Sequence, residues 1–228
     1  MEFSQTSNGY RVDHYGVEPL PSNAVTEKVI SDVDAVGESI RQVMKKSSSK
    51  AKNCCLAVAG SAVITKVITM PANLSEEDLE GQIQLEADQY IPYALEEVNL
   101  DFDILGPTEE NPETIDVLLA ASRSENVDMR VAAAEAAGLT PIVIDVEAYA
   151  IENVFPILTE TVENRGRDKT VAILDIGATM TSLNVLDDHK MVYTREQPFG
   201  GKQLTEEIMH QYGLTLSLIH ISEPTRLQ

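Results

Sequence analysis

The stretch Val171–Leu186, VAILDIGATMTSLNVL, reads as a buried apolar strand ending in Asp175, a small hydroxyl-bearing turn, and a second alternating strand. A carboxylate at the carboxyl end of such a strand lies where an α/β sheet opens its ligand crevice. Gly177 and Ala178 let the backbone approach a phosphate closely, and their N–H groups can converge on it as an anion nest. Thr179 and Thr181 add hydroxyl donors. Asp175 carries the wrong sign for phosphate, so its chemistry is to hold Mg²⁺ through water or to orient an attacking water. An aspartate ahead of a tight turn is also ordinary turn chemistry, and the D-x-G-x-T-x-T pattern alone leaves both readings open.

Two neighbouring features point the same way. Gly200 and Gly201 precede the helical pattern KQLTEEIMHQYG, and a helix N-terminus behind glycines is a ready anion site as well as a common turn. Glu147 follows the strand TPIVIDV and opens the pattern EAYAIENVFPIL. Its carboxylate at a second strand end suits a water-orienting, catalytic role beside Asp175; it equally suits a helix-start carboxylate facing the dipole.

Upstream, strands and helices alternate, which defines an α/β class. Val36, Ile40, Val43 and Met44 give residues 33–45 a helical face. CCLAVAG and SAVITKVITM are two strands meeting at Gly60. Ser75 with Asp78 forms a helix start, Leu79, Ile83, Ala87 and Tyr90 make that helix's apolar stripe, and Pro92 ends it. In EVNLDFDIL, Val98, Leu100, Phe102 and Ile104 face inward while Glu97, Asn99, Asp101 and Asp103 face out, a one-sided pattern that predicts an inserted α+β subdomain. TIDVLLAAS is a further strand; Ser124 caps the next helix, which Gly138 closes. Pro156 ends the helix that Glu147 begins.

The composition excludes several classes. The formal net charge is -20, and no Lys or Arg lies between Lys66 and Arg123, a stretch with fourteen carboxylates from Glu76 to Asp116, including Glu109 and Glu110. Such a surface repels nucleic acid and anionic lipid, and it attracts a basic peptide. The same charge also suits a plain solvated face. No apolar run is long enough to span a bilayer. Cys54 and Cys55 are adjacent, the four histidines are scattered, and neither type offers metal-ligand spacing; a reduced, cytosolic setting follows.

Both ends of the sequence carry expectations of their own. EFSQTSNGYRVDHYGVEPLP and SLNVLDDHKMVYTREQPFGG share one pattern of strand, polar turn, strand and proline. Only the second is preceded by a phosphate-type loop, so an earlier segment is expected ahead of Met1. Leu216–Arg226 resembles a translated sequencing-library adapter and is read as foreign, along with the rest of residues 216–228.

The segment from DIGATMT to PFGGKQLTEEI resembles the second phosphate segment of the actin, sugar-kinase and Hsp70 superfamily, and IDVEAYAIENVF resembles its first connecting segment. Within it, residues 57–106, above all QIQLEADQYIPYALEEV, are similar to the PilM family of type IV pilus assembly proteins and more distantly to the division protein FtsA. That resemblance implies an actin-like (ribonuclease H-like) fold, present in part. Residues 1–69 would be the first actin-like domain, 70–145 the inserted subdomain, 146–169 a return helix and linker, and 170–215 the start of the second domain.

It also implies ATP and Mg²⁺ in the complete protein, with Asp175, Gly177, Ala178, Thr179, Thr181, Gly200 and Gly201 at the nucleotide. The partner it implies is a PilN-like bitopic inner-membrane protein, whose cytosolic tail enters a groove bordered by Leu79, Ile83, Tyr90, Ile91, Tyr93, Glu96 and Glu97. Such a protein is cytoplasmic and peripheral to the membrane. An FtsA-like filament protein and an ATPase or phosphotransferase of the superfamily are the alternatives.

Overall fold

A computed structural model describes residues 1–7, 9–108, 111–159 and 163–219. The chain divides into two compact units, Met1–Ala150 and Ile151–Gln228.

The first unit opens with an antiparallel hairpin, β1 (Glu2–Thr6) and β2 (Gly9–His14). A second, short hairpin joins β3 (Val25–Thr26) to β4 (Val29–Ile30). Its two turn residues, Glu27 and Lys28, both have positive φ (49° and 65°), as the tightest hairpin turn demands. Helix α1 (Val33–Ser47) starts at Asp32, whose carboxylate accepts the Ala35 N–H at 2.9 Å. It ends at Ser48 in the left-handed region.

Strand β5 (Asn53–Val58) leads through a 3₁₀ turn at Gly60–Ala62 into β6 (Val63–Pro71). The chain then builds α2 (Glu76–Ala87), β7 (Val98–Pro107), β8 (Thr114–Arg123) and α3 (Ser124–Ala136) before returning in β9 (Thr140–Val146). β9 pairs parallel with β5, so β6 to α3 form one long crossover between two adjacent strands. Helix α1 crosses α3 closely. A Cβ on Gly37 would sit 2.8 Å from the Ala136 Cβ, so glycine is what this helix crossing requires. Val36, Ala133, Ala24 and Ile30 form the core around it.

Inside the crossover, β6, β8 and β7 form an antiparallel sheet in that order. One face packs against α2: Ile68 and Met70 from β6 and Val117, Leu119 and Ala121 from β8 meet Leu79, Ile83 and Ala87. Ser75 caps α2 as expected, accepting the Asp78 N–H at 3.2 Å. The helix stops at Ala87, before Tyr90, and the buried position that continues the stripe is Ile91, not Tyr90. The predicted alternation of β7 holds from Val98 to Phe102 and then fails. A bulge between Ile104 and Gly106 shifts the register, leaving Ile104 and Leu105 half exposed.

Two predicted helix boundaries also move. Ser124 is the first helical residue of α3 rather than its cap, and its hydroxyl bonds Asn99 Oδ1 at 2.7 Å instead. Helix α4 (Glu147–Leu158) runs through Pro156 instead of ending there. Pro156 keeps its carbonyl in use by accepting the buried Thr159 hydroxyl at 3.0 Å.

The second unit holds the end of α4 and the antiparallel sheet β10 (Thr170–Ile176), β11 (Thr181–Asp187) and β12 (Lys190–Gln197). It continues in α5 (Gly201–Tyr212) and the single-turn α6 (Leu216–Ile219). Glu152 on α4 accepts the Met191 N–H at 3.0 Å and so ties the helix to β12. The strand expected to be buried, β10, is covered on one face only. Val171 and Ile173 pair with the buried Leu186 and Asn184, whereas Leu174 and Ile176 lie on the opposite face and are more than half exposed. A three-stranded antiparallel sheet covered on one side has this pattern. Residues 220–228, most of the segment read as foreign, lie outside the described residues.

Candidate functional site

The turn after β10 and the start of α5 come together as one backbone clasp. The Gly177 N–H closes the turn onto the Met180 carbonyl at 2.9 Å. Opposite it, the Gly201 N–H donates to the Gly177 carbonyl at 3.0 Å and the Lys202 N–H to the Ala178 carbonyl at 2.8 Å. The Gly200 N–H donates to Gln203 Oε1 at 2.8 Å, and the Gln203 N–H to the Gly200 carbonyl at 3.1 Å. The Thr181 hydroxyl donates to the Phe199 carbonyl at 2.7 Å.

These bonds show where the donors of the expected phosphate residues are spent. Gly200 and Gly201 do not present a free helix N-terminus, because the first donors of α5 are used within the protein. Gly177 and Thr181 likewise spend their donors on the clasp. The glycine at 200 serves a backbone-to-backbone approach: a Cβ there would lie 2.5 Å from the Gly177 carbonyl oxygen. Other donors of the same loop are the Ala178, Thr179 and Met180 N–H groups and the Thr179 hydroxyl. Asp175 stands exposed on the adjoining strand, opposite Ser182. Among the described residues, no group of three or more His, Cys, Asp or Glu is placed to hold a metal ion directly.

Glu147 belongs to the first unit, at the carboxyl end of β9. Its carboxylate is bound by Lys28 at 2.5 Å, from the tip of the β3–β4 hairpin. Arg130 on α3 holds that hairpin in place. Its guanidinium donates to the Lys28, Ala57 and Asn126 carbonyls, each at 2.8 Å. Burial pulls the Arg130 pKa down, and the nearby Glu147 charge pushes it back up. Neither Lys28 nor Arg130 was singled out from the sequence. They lie 119 and 17 residues from Glu147, at spacings that carry no local signal.

The acidic subdomain has a defined edge at the end of α2. Leu79, Ile83 and Ile91, expected to border a partner groove, are instead buried in the subdomain core at 6% exposure or less. Ile91 pins the connection that follows α2, and Tyr90 and Tyr93 flank it at about 40% exposure. Glu96 and Glu97 are exposed in the 3₁₀ turn leading into β7. The two cations bounding the acidic stretch sit on these rings: Lys66 Nζ is 5.4 Å from the Tyr90 centroid and the Arg123 guanidinium carbon 5.5 Å from that of Tyr93. Glu109 and Glu110 lie outside the described residues.

The family model of the type IV pilus assembly protein PilM matches residues 1–220. A chain of the solved PilM-PilN type IV pilus biogenesis complex is 28% identical, with 94% of this chain covered and a TM-score of 0.76. This chain spans 63% of that chain's length. Ethanolamine utilization protein EutJ from Carboxydothermus hydrogenoformans is 13% identical, covering 85% of this chain and 47% of its own, with a TM-score of 0.43. The cytoplasmic domain of EpsL, of the Vibrio cholerae type II secretion system, is also 13% identical, covering 82% and 64%, with a TM-score of 0.46. The fold is a mixed α/β, actin-like one with an inserted α+β subdomain. The chain belongs to the PilM family of type IV pilus assembly proteins.

Proposed function

We propose that this chain is a docking scaffold of the type IV pilus machine, and that its inserted subdomain receives the short cytosolic tail of a PilN-like bitopic membrane protein. The observation that carries the reading is the connection after α2. Ile91 fixes the backbone in the core while Tyr90 and Tyr93 stay half exposed beside Glu96 and Glu97. Aromatic anchors held by a rigid pin suit a binding hot spot, and the surrounding carboxylates speed the encounter with a basic tail more than they add affinity. Membership of the PilM family and the likeness to a chain of the PilM-PilN complex support the choice of partner. The protein then works on the cytoplasmic side of the inner membrane, held there through its partner; among the described residues no helix is long and apolar enough to cross a membrane.

The test is binding of an immobilised PilN-type tail at two ionic strengths. The pair Glu96→Lys with Glu97→Lys should slow association and flatten its salt dependence, and Tyr90→Ala should raise the off-rate. Unchanged binding in both variants would move the docking site off this edge.

The actin-like fold also supports a nucleotide site, with ATP and Mg²⁺ as its occupants. The residues fit in part. Ala178 and Thr179 retain donors for a phosphate, and the exposed Asp175 would hold Mg²⁺ through its water shell. The bound ion would supply the positive charge that a carboxylate beside phosphate needs. Glu147, ion-paired with Lys28, enters no step in this reading. Calorimetry with Mg·ATP should show weaker binding in Asp175→Ala than in the wild type; equal affinity would remove Asp175 from the site.

A further inference from the structure

We propose that Lys66 and Arg123 are resident occupants of two aromatic cation sites, on Tyr90 and Tyr93, which Lys or Arg side chains of the docked tail take over. The inference rests on the docking reading above and adds what the edge recognises: a short peptide carrying cations among apolar residues. Three observations carry it. First, both rings already hold a cation, at 5.4 and 5.5 Å from their centroids, so each face is shaped and oriented for one. Second, the two cations stand on the same face of the sheet, Lys66 opposite Leu119 and Arg123 four residues beyond it at the end of β8. Lys66 precedes Ile68 and Met70 on the α2-facing side of β6, and Arg123 follows Leu119 and Ala121 on that side of β8. Ile91, 6% exposed between the rings, fixes them as a pair rather than as two drifting side chains.

The third observation is charge. No other Lys or Arg lies between residues 66 and 123, so the stretch that supplies this edge carries carboxylates with only these two cations at its ends. Arg123 is half exposed and reaches the more exposed Glu125 only at 3.7 Å. Exposed cation–π contacts are weak enough to be exchanged, and a displaced Arg123 has Glu125 to turn to. A phosphate-bearing partner, nucleic acid or anionic lipid, is repelled by the charge of this carboxylate-rich stretch.

The experiment is a double-mutant cycle read by fluorescence anisotropy, using a labelled synthetic PilN-type tail and the same tail with its Lys and Arg replaced by norleucine. Removing the resident cation in Lys66→Met should tighten the cationic tail by roughly two- to five-fold while Tyr90 is present. In the Tyr90→Leu background that gain should vanish, and in Tyr90→Phe, which keeps the ring, it should return. The norleucine tail should gain nothing from Lys66→Met. Arg123→Met with Tyr93→Leu gives an independent second cycle. An equal gain with and without the Tyr90→Leu substitution would reduce Lys66 to a long-range charge and overturn the proposal, leaving the docking reading intact. A wild-type chain that binds neither tail would overturn both.

Discussion

A Cβ placed on Gly200 would lie 2.5 Å from the carbonyl oxygen of Gly177. The backbone at Gly200 is extended (φ -170°, ψ -172°), a conformation open to any residue, so contact alone excludes a side chain there. Gly200→Ala must therefore push α5 away from the turn and break the Gly201 and Lys202 hydrogen bonds. We expect a loss of about 1–3 kcal/mol in denaturant unfolding, the usual cost of forcing atoms into a packed site. Gly201→Ala is the control. Its Cβ would meet nothing nearer than 3.9 Å, and its stability should stay within about 0.5 kcal/mol of wild type.

Arg130 and Lys28 should separate cleanly in the first unit. Arg130→Met removes the donor from the Ala57 and Lys28 carbonyls, costing about 1–3 kcal/mol for each that stays buried and unsatisfied. Lys28→Met removes the partly exposed ion pair with Glu147, with an expected cost below about 1 kcal/mol for that pair. Thermal unfolding of the two variants gives the comparison, and equal losses would refute the ranking.

The buried and exposed positions around α2 should likewise behave differently. Ile91→Ala opens a cavity in the subdomain core and should cost about 2–5 kcal/mol. Leu85→Ala, at a site 75% exposed on the same helix, should change stability by about 0.5 kcal/mol or less.

The clearest features of the sequence were local ones. Ser75 and Asp78 are three residues apart and cap α2 as that spacing predicts. Val98, Leu100 and Phe102 alternate because one sheet face is buried, and the pattern fails at Ile104 because Gly106, at φ 123°, closes a bulge. Glycine shows why the site was harder to read. A glycine that admits a phosphate and one that admits another backbone are the same letter, and only the fold shows that Gly200 meets Gly177. The Lys66–Tyr90 and Lys28–Glu147 contacts were illegible for a different reason: they join residues 24 and 119 positions apart, beyond the reach of any periodicity.

The adjacent cysteines offer a pH-dependent check on the β5 environment. Burial, and then the neighbouring Cys55, push the Cys54 thiol above its ordinary value, while Cys55 is exposed. A raised pKa leaves less thiolate at a given pH, and thiolate is the reactive form. Alkylation near neutral pH, followed by peptide mass spectrometry, should modify Cys55 first. Cys54 should catch up as the pH rises. Faster labelling of Cys54 at neutral pH would contradict the burial of its side chain.

The claim that this protein docks a membrane partner's tail through the edge beyond α2 is tested most directly by hydrogen–deuterium exchange with and without the PilN-type tail peptide. The account predicts new protection across residues 88–97, centred on Tyr90 to Tyr93, and extending into the start of β7. Protection confined to other segments, with exchange across residues 88–97 unchanged at saturating peptide, would contradict it.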